Sequence, residues 1–388
     1  MVSRRARMWL RRSVAGVAVV VVLILVVGTF YFSELIEDEL LQATPWFPDA
    51  DVEVLAVTDS FVTLSKTTDS LRPGIQGLEW GEGYVQTGRI LGEGDDGVTR
   101  ELPFGPGDLA EGLTVAIDPF AFETDPEDVG LEFDGVSVES ELGRFPAWRI
   151  DGTDDTWAIF VHGKGLTRRE ALRILPTIAD AGLTTLVITY RNDAGAPAAE
   201  DGRHHLGVDE WQDLEAAVAY AFEEGAQDVV LVGYSMGGGI VATFMRESDL
   251  SGRVQGLVLD SPLLDAGAVV DDAARERGVP GFLAGWAKAL AALRFGVDWN
   301  DFDHIATAET LTVPILLFHG DADDTIPKRV SDALADARRD LVTYIEVEGA
   351  GNARVWNSDP QRYERAVAAF LTEVAIGPSD LGPRAADS

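Results

Sequence analysis

From Pro146 to Leu371 the chain alternates short β-branched apolar runs with longer amphipathic ones, and this rhythm restricts the fold more than any other feature. TWAIFVHG, TTLVITY, DVVLVGYSMGGG, VQGLVLDSP, VPILLFHGDADDTIP and LVTYIEVEGAG read as strands. RREALRILPTIADAG and DEWQDLEAAVAYAFEEG read as helices that close at Gly182 and Gly225. Strands that are apolar on both sides must be covered on both faces, so the pattern predicts a mostly parallel sheet with helices on either side, an α/β architecture over residues 146–375. Residues 265–305 break the rhythm between two strands. They predict a small helical cap at the C-terminal edge of the sheet, with apolar groups such as Phe282, Leu283, Trp286 and Phe295 turned toward the pocket. Residues 376–388, rich in Gly, Pro and Asp, read as a disordered tail.

At the other end, Val14 to Phe32 carries no charge over 19 positions, enough at about 1.5 Å per residue for a helix to cross a bilayer core. Residues 1–12 hold Arg4, Arg5, Arg7, Arg11 and Arg12, whereas Glu34, Glu37, Asp38 and Glu39 follow the run. The basic end is therefore expected in the cytoplasm, residues 13–32 in the cell membrane as a single span, and the rest outside. A cleaved signal peptide is the alternative, but the run is long for one and no A-x-A site follows. Residues 33–49 read as an acidic stalk. Residues 50–145, with short alternating runs broken by Gly, Pro and Asp, read as a small β-rich module with a packing role.

The net charge of −34 understates the acidity beyond the apolar run, because five of the 31 basic residues precede Glu34 and all 65 acidic ones lie at or after it. Such a surface repels nucleic acid and anionic lipid headgroups. With no cysteine there is neither a disulfide framework nor a thiolate metal site, and no metal or cofactor is expected.

Gly233-Tyr234-Ser235-Met236-Gly237 fits G-x-S-x-G between an apolar strand and a helix, a turn so sharp that only glycine fits beside a serine left projecting above the sheet. VHGKG (161–165) follows an earlier strand, and FHGDADDTIP (318–327) a later one. In these motifs and their order the chain resembles the α/β-hydrolase superfamily, specifically bacterial members with a small helical cap. The resemblance implies a serine hydrolase with Ser235 as nucleophile and backbone N–H groups of Lys164 and Met236 as the oxyanion hole. It also implies Asp323 as the triad acid, with Asp260 in VLDSP as a second candidate.

Family members carry the general-base histidine in the turn after the last strand. Here GAG is followed by Asn352. An amide donates and accepts hydrogen bonds but does not titrate near neutrality, so it cannot take a proton from Ser235. Loss of the histidine from a Ser-His-Asp enzyme costs about 10⁶ in turnover and leaves about 10³ to 10⁴ over water. Of the five histidines, His204 and His205 lie on the expected active-site side and are the candidate substitutes. His162, His304 and His319 read as loop or strand-end residues.

Two functions are therefore expected. One is a membrane-anchored hydrolase of small-molecule or peptide acyl substrates (carboxylic esters, amides, peptides) with strongly reduced turnover. The other is a pseudohydrolase that binds without turning over. An acyl transferase would need the same missing base. The orientation has a direct check: a phosphatase reporter fused after residue 388 should be active, and silence there alongside an active cytoplasmic reporter would refute it.

Overall fold

A computed structural model describes residues 4–81 and 83–380. The chain forms two compact units, one of residues 1–42 with Ala266–Asp303 and one of Ala43–Asp265 with the residues from His304 onward.

The larger unit holds an eight-stranded sheet. Its strands are β8 (Asp134–Ser140), β9 (Gly143–Ile150), β10 (Asp154–Val161), β11 (Leu183–Val187), β12 (Asp228–Tyr234), β13 (Val254–Asp260), β14 (Ile315–Gly320) and β15 (Val342–Val347), in the order 15-14-13-12-10-11-9-8. From β15 to β11 every pair is parallel, while β9 runs antiparallel to β11 and β8 to β9. The domain boundary thus lies upstream of the expected residue 146. The β8–β9 hairpin has the in-out alternation of an antiparallel edge, which in sequence looks the same as the β-rich module before it. The central strands are buried along their length, with Ile159, Phe160, Leu231, Val232, Leu257 and Leu317 fully covered. Helices cover the sheet: α2 (Leu175–Asp180), α3 (Trp211–Glu223), α4 (Met236–Glu247), α7 (Arg329–Ala337), α8 (Val355–Ser358) and α9 (Pro360–Asp380). Residues up to 380 of the expected tail continue α9, and 381–388 lie outside the described residues. The chain leaves β10 toward β11 on one side, and β12 pairs on the other. The sheet therefore opens a crevice at the carboxyl ends of β10 and β12, where ligands bind in open α/β sheets.

The smaller unit joins α1 (Arg4–Ile36), a π-helical turn to Leu41, α5 (Ala266–Glu276) and α6 (Gly281–Phe295). Within α1, the stretch from Ser13 is long and apolar enough to cross a membrane. The Leu283 methyls lie against Gly28, and Ile36, Ala287 and Ala291 form a buried cluster with Phe32 and Phe295 packed on it. Arg294 bonds Glu34 at 2.7 Å and lies over the Phe30 ring, while Arg277 bonds Glu39 at 2.8 Å. Leu283 and Phe295 are therefore used in this unit's own packing. Phe282, Trp286 and Leu293 form an exposed stripe on α6.

Also in the larger unit is a seven-stranded antiparallel sheet of β1 (Ala50–Val57), β2 (Phe61–Ser65), β3 (Gln76–Trp80), β4 (Gly83–Thr87), β5 (Ile90–Glu93), β6 (Gly97–Glu101) and β7 (Thr114–Asp118), in the order 4-3-7-1-2-6-5. Val52, Val54, Val62, Leu64, Leu78 and Val115 fill its core. On β6 the fully buried Arg100 forms no ion pair with a carboxylate among the described residues. Its guanidinium donates to Thr87 Oγ1 and to the carbonyls of Ser70, Arg72, Gly74 and Gly88, tying the 70–74 loop to the sheet. Burial lowers its pKa to about 10, so it stays charged. Arg100→Met would strand five acceptors, and the larger unit should lose about 3 kcal/mol, read as a lower urea midpoint at unchanged slope.

Candidate active site

Ser235 occupies the turn from β12 into α4 with φ 50° and ψ −117°, a conformation an L residue adopts only under constraint. The constraint is visible in its neighbours. A Cβ at Gly237 would stand 2.1 Å from the Val161 carbonyl oxygen, and one at Gly233 2.7 Å from that of Gly237. The Ser235 N–H donates to the Asp260 carbonyl at 2.9 Å, and its own carbonyl accepts from Leu263 at 2.8 Å. Met236 opens α4, so its N–H lies outside the helical ladder. The Gly163 turn after β10 abuts Ser235, whose Cβ is 3.2 Å from where a Gly163 Cβ would be, and Lys164 is the next residue. That turn is held by Gly163 N–H to Glu170 Oε2 at 2.8 Å and by Trp46 N–H to the Gly165 carbonyl at 2.8 Å. Ser235 is 8% exposed, and its Oγ makes no hydrogen bond among the described residues.

Asp323 follows β14 and Asn352 follows β15, and the two meet: Asn352 Nδ2 donates to Asp323 Oδ2 at 3.1 Å. The other carboxylate oxygen accepts from the N–H groups of Thr325 at 2.9 Å and Ile326 at 2.8 Å, so the carboxylate is fixed in place. His319 lies beneath, with Nε2 3.2 Å from Asp323 Oδ2 and 3.0 Å from the Ile326 carbonyl, and Nδ1 2.7 Å from Ser331 Oγ. Both ring nitrogens are thereby occupied in the core.

Of the remaining histidines, His162 and His205 have both ring nitrogens occupied, whereas His204 Nδ1 is buried without a hydrogen-bond partner among the described residues. His205 is clamped between Asp209 on Nδ1 and Asp201 on Nε2, and these carboxylates raise its pKa to about 9, Asp209 contributing most. His204 is buried, edge-on to Tyr190, with Nδ1 3.7 Å from Glu210 Oε1. His162 spans the Gly163 carbonyl and Asp193 at 2.9 Å each. Burial lowers its pKa, but the Asp193 carboxylate outweighs this and holds it raised. Burial pushes His304 down to about 3, with help from Arg246. None of the five forms a hydrogen bond with Ser235 among the described residues.

Three residues that sequence reasoning missed complete the arrangement. Arg173 donates from Nη1 to the Ala353 carbonyl at 2.7 Å and to Asn357 Oδ1 at 2.8 Å, and from Nη2 to Glu170 Oε1 at 3.2 Å. Glu170 holds the Gly163 turn, as described. Ser261 Oγ accepts the Ala353 N–H at 3.1 Å, steadying the residue after Asn352. Nothing in RREALR marks Glu170 or Arg173 as buried, since charged pairs on a helix-like run normally face solvent. Asp260, the second candidate acid, is fully buried and makes its side-chain hydrogen bond to Ser261, not to Asn352.

Comparison with known proteins bears on the fold and the family. Residues 53–118 match a domain of unknown function (DUF8805), and no curated protein matches the chain. An esterase of Pyrococcus furiosus, Pf2001, superposes with a TM-score of 0.51 at 18% identity, over 66% of this chain and 95% of its own. Est1E of Butyrivibrio proteoclasticus, solved with ferulic acid, gives 0.48 at 18% identity over 62% of this chain and 100% of its own, and a Bacillus anthracis bromoperoxidase gives 0.45 at 18% over 62% of this chain and 100% of its own. The model of the alpha/beta hydrolase family matches residues 158–366, more than half the chain and the whole span from the Gly163 turn to the Asn352 loop, and the protein belongs to that family.

Proposed function

We propose that the protein is a membrane-anchored, extracytoplasmic serine hydrolase scaffold for carboxylic esters, amides or peptides, with turnover strongly reduced because an amide stands where the base should be. The contact of Asn352 Nδ2 with Asp323 Oδ2 carries this reading. The turn at Ser235, the Gly163 turn and the Asp323 carboxylate support this reading, in which Ser235 attacks an activated carbonyl while the N–H groups of Lys164 and Met236 receive the oxyanion. Among the described residues the Ser235 hydroxyl meets no hydrogen-bonded base that could take its proton, which limits both acylation and deacylation. The apolar α1 supports anchoring, and the exposed Phe282, Trp286 and Leu293 on α6 extend an apolar face in the same unit. A purely binding role is the second reading, favoured by the lack of any hydrogen bond to Ser235 Oγ.

Asn352→His should place an imidazole against Asp323 and raise hydrolysis of a short activated ester by about 10² or more, and Ser235→Ala added to it should abolish the gain. No gain in a folded variant would favour the binding role. Slow fluorophosphonate labelling of Ser235 in the natural protein would favour the hydrolase scaffold. His205 offers a second check. With a folded pKa near 9 against about 6.5 unfolded, its stabilising contribution should be complete below pH 6.5 and fade as pH rises to 9. His205→Gln should therefore lower the unfolding midpoint at pH 6 but not at about pH 9.5, and leave Ser235 labelling unchanged. Loss of labelling in His205→Gln would instead mark it as the substitute base.

A further inference from the structure

Between the loop before β3 and the turn after β15 lies a cavity of about 220 Å³, lined in part by Arg72, Gln76, Ala322, Asp324, Gly351 and Arg354. The two arginines differ in their partners. Arg72 bonds Asp69 at 2.6 Å and approaches Asp324 at 4.0 Å. The Arg354 guanidinium forms no hydrogen bond or ion pair among the described residues. Burial, and then repulsion from Arg72, lowers its pKa to about 10, which still leaves it charged at neutral pH. Asp69 and Asp324 attract this half-buried cation without bonding it, and its exposure to a cavity beside a second arginine suits an oxyanion with several acceptor oxygens.

Gln76 narrows the chemistry. Its side chain is almost fully buried, and Nε2 donates to the Pro73 carbonyl at 3.0 Å. That bond sets the orientation of the amide, since a flipped amide would put two carbonyl oxygens together. Its Oε1 is buried with no donor. With the Asp324 carboxylate also on the wall, the cavity presents acceptors as well as cations. Sulfate and simple carboxylates bring no proton at neutral pH, whereas a phosphate group near its second ionisation brings both negative oxygens and an O–H.

We propose that this cavity is a binding site for a phosphate group, as the free ion or a monoester, held by Arg354 and Arg72 and recognised in its protonated form by Gln76. The site joins the β-rich module, which supplies Arg72 and Gln76, to the loop that carries Asn352, since Gly351 and Arg354 flank that residue. It is independent of whether Ser235 turns over.

Calorimetric titration of the full chain in detergent, at constant ionic strength and about pH 6.5, tests it with inorganic phosphate, sulfate and glycerol 3-phosphate. Phosphate or its monoester should bind at least about tenfold more tightly than sulfate, and the tighter of the two identifies the free ion or the ester as the natural form. Arg354→Met should weaken that binding by about tenfold or more, and Gln76→Leu should bring the affinities for phosphate and sulfate together. Arg354→Lys, which keeps the charge and stem but loses the fork, should fold and bind more weakly than the natural protein. Absence of phosphate binding, equal binding of sulfate by the natural protein, or unchanged affinity in Arg354→Lys and Arg354→Met would overturn the proposal.

Discussion

The larger unit depends on one buried cation. Arg173 touches Glu170, which holds the Gly163 turn, and the Ala353 carbonyl, which belongs to the Asn352 loop. It also bonds Asn357, whose Nδ2 reaches back to the carbonyls of Ile75 and Pro119 in the β-rich module, at 2.7 Å and 2.8 Å. The Gly163 turn, the Asn352 loop and the small sheet thus share one guanidinium. Removing a partner from such a buried pair costs about 3–5 kcal/mol, because a charge is left uncompensated. Any change there would be felt in all three places together.

Around that anchor the backbone is held in unusual conformations where chemistry would need it. Ser235, Ser261 and Ala353 all have positive φ, near 50°, although none is glycine. They lie at the ends of β12, β13 and the loop after β15, and are tied to one another through Asp260, Ser261 Oγ and the Ala353 N–H. Strain of this kind, about 1–3 kcal/mol per residue, persists only where surrounding contacts over-determine it. The surroundings of Ser235 have this architecture with an amide, not an imidazole, at position 352.

Much of this was legible from residues alone, and the exceptions have physical causes. The parallel strands declared themselves because burial on both faces demands uninterrupted apolar runs, and G-x-S-x-G because only glycines clear the carbonyls at 161 and 237. The loop position of Asn352 followed from GAG after the last strand. The β8–β9 hairpin was misassigned because an antiparallel edge has the same alternation as a separate β module. The insertion after residue 265 gave helices, but its packing against α1 depends on Gly28, Ile36, Ala287 and Ala291, which lie some 250 residues apart in sequence. The Arg72 and Arg354 cavity was hidden for the same reason: long-range pairing leaves no local pattern.

An amide at position 352 also changes how the protein responds to acidity. In a triad the imidazole is the group whose charge switches near neutrality. Here a group that switches near neutrality is Asp260, fully buried next to the Ser235 turn, whose carboxyl is pushed up to about 7 by burial against the opposing pull of Arg173 and His319. In the unfolded chain the same carboxyl ionises near 3.9. Between those values the folded form holds a proton that the unfolded form has released, so ionisation of Asp260 weighs against the fold as pH rises toward neutrality and is relieved on acidification. Mild acid would then act on the molecule as a stiffening of its core, readable in the unfolding midpoint, where in a working triad it would act as a brake on the catalyst.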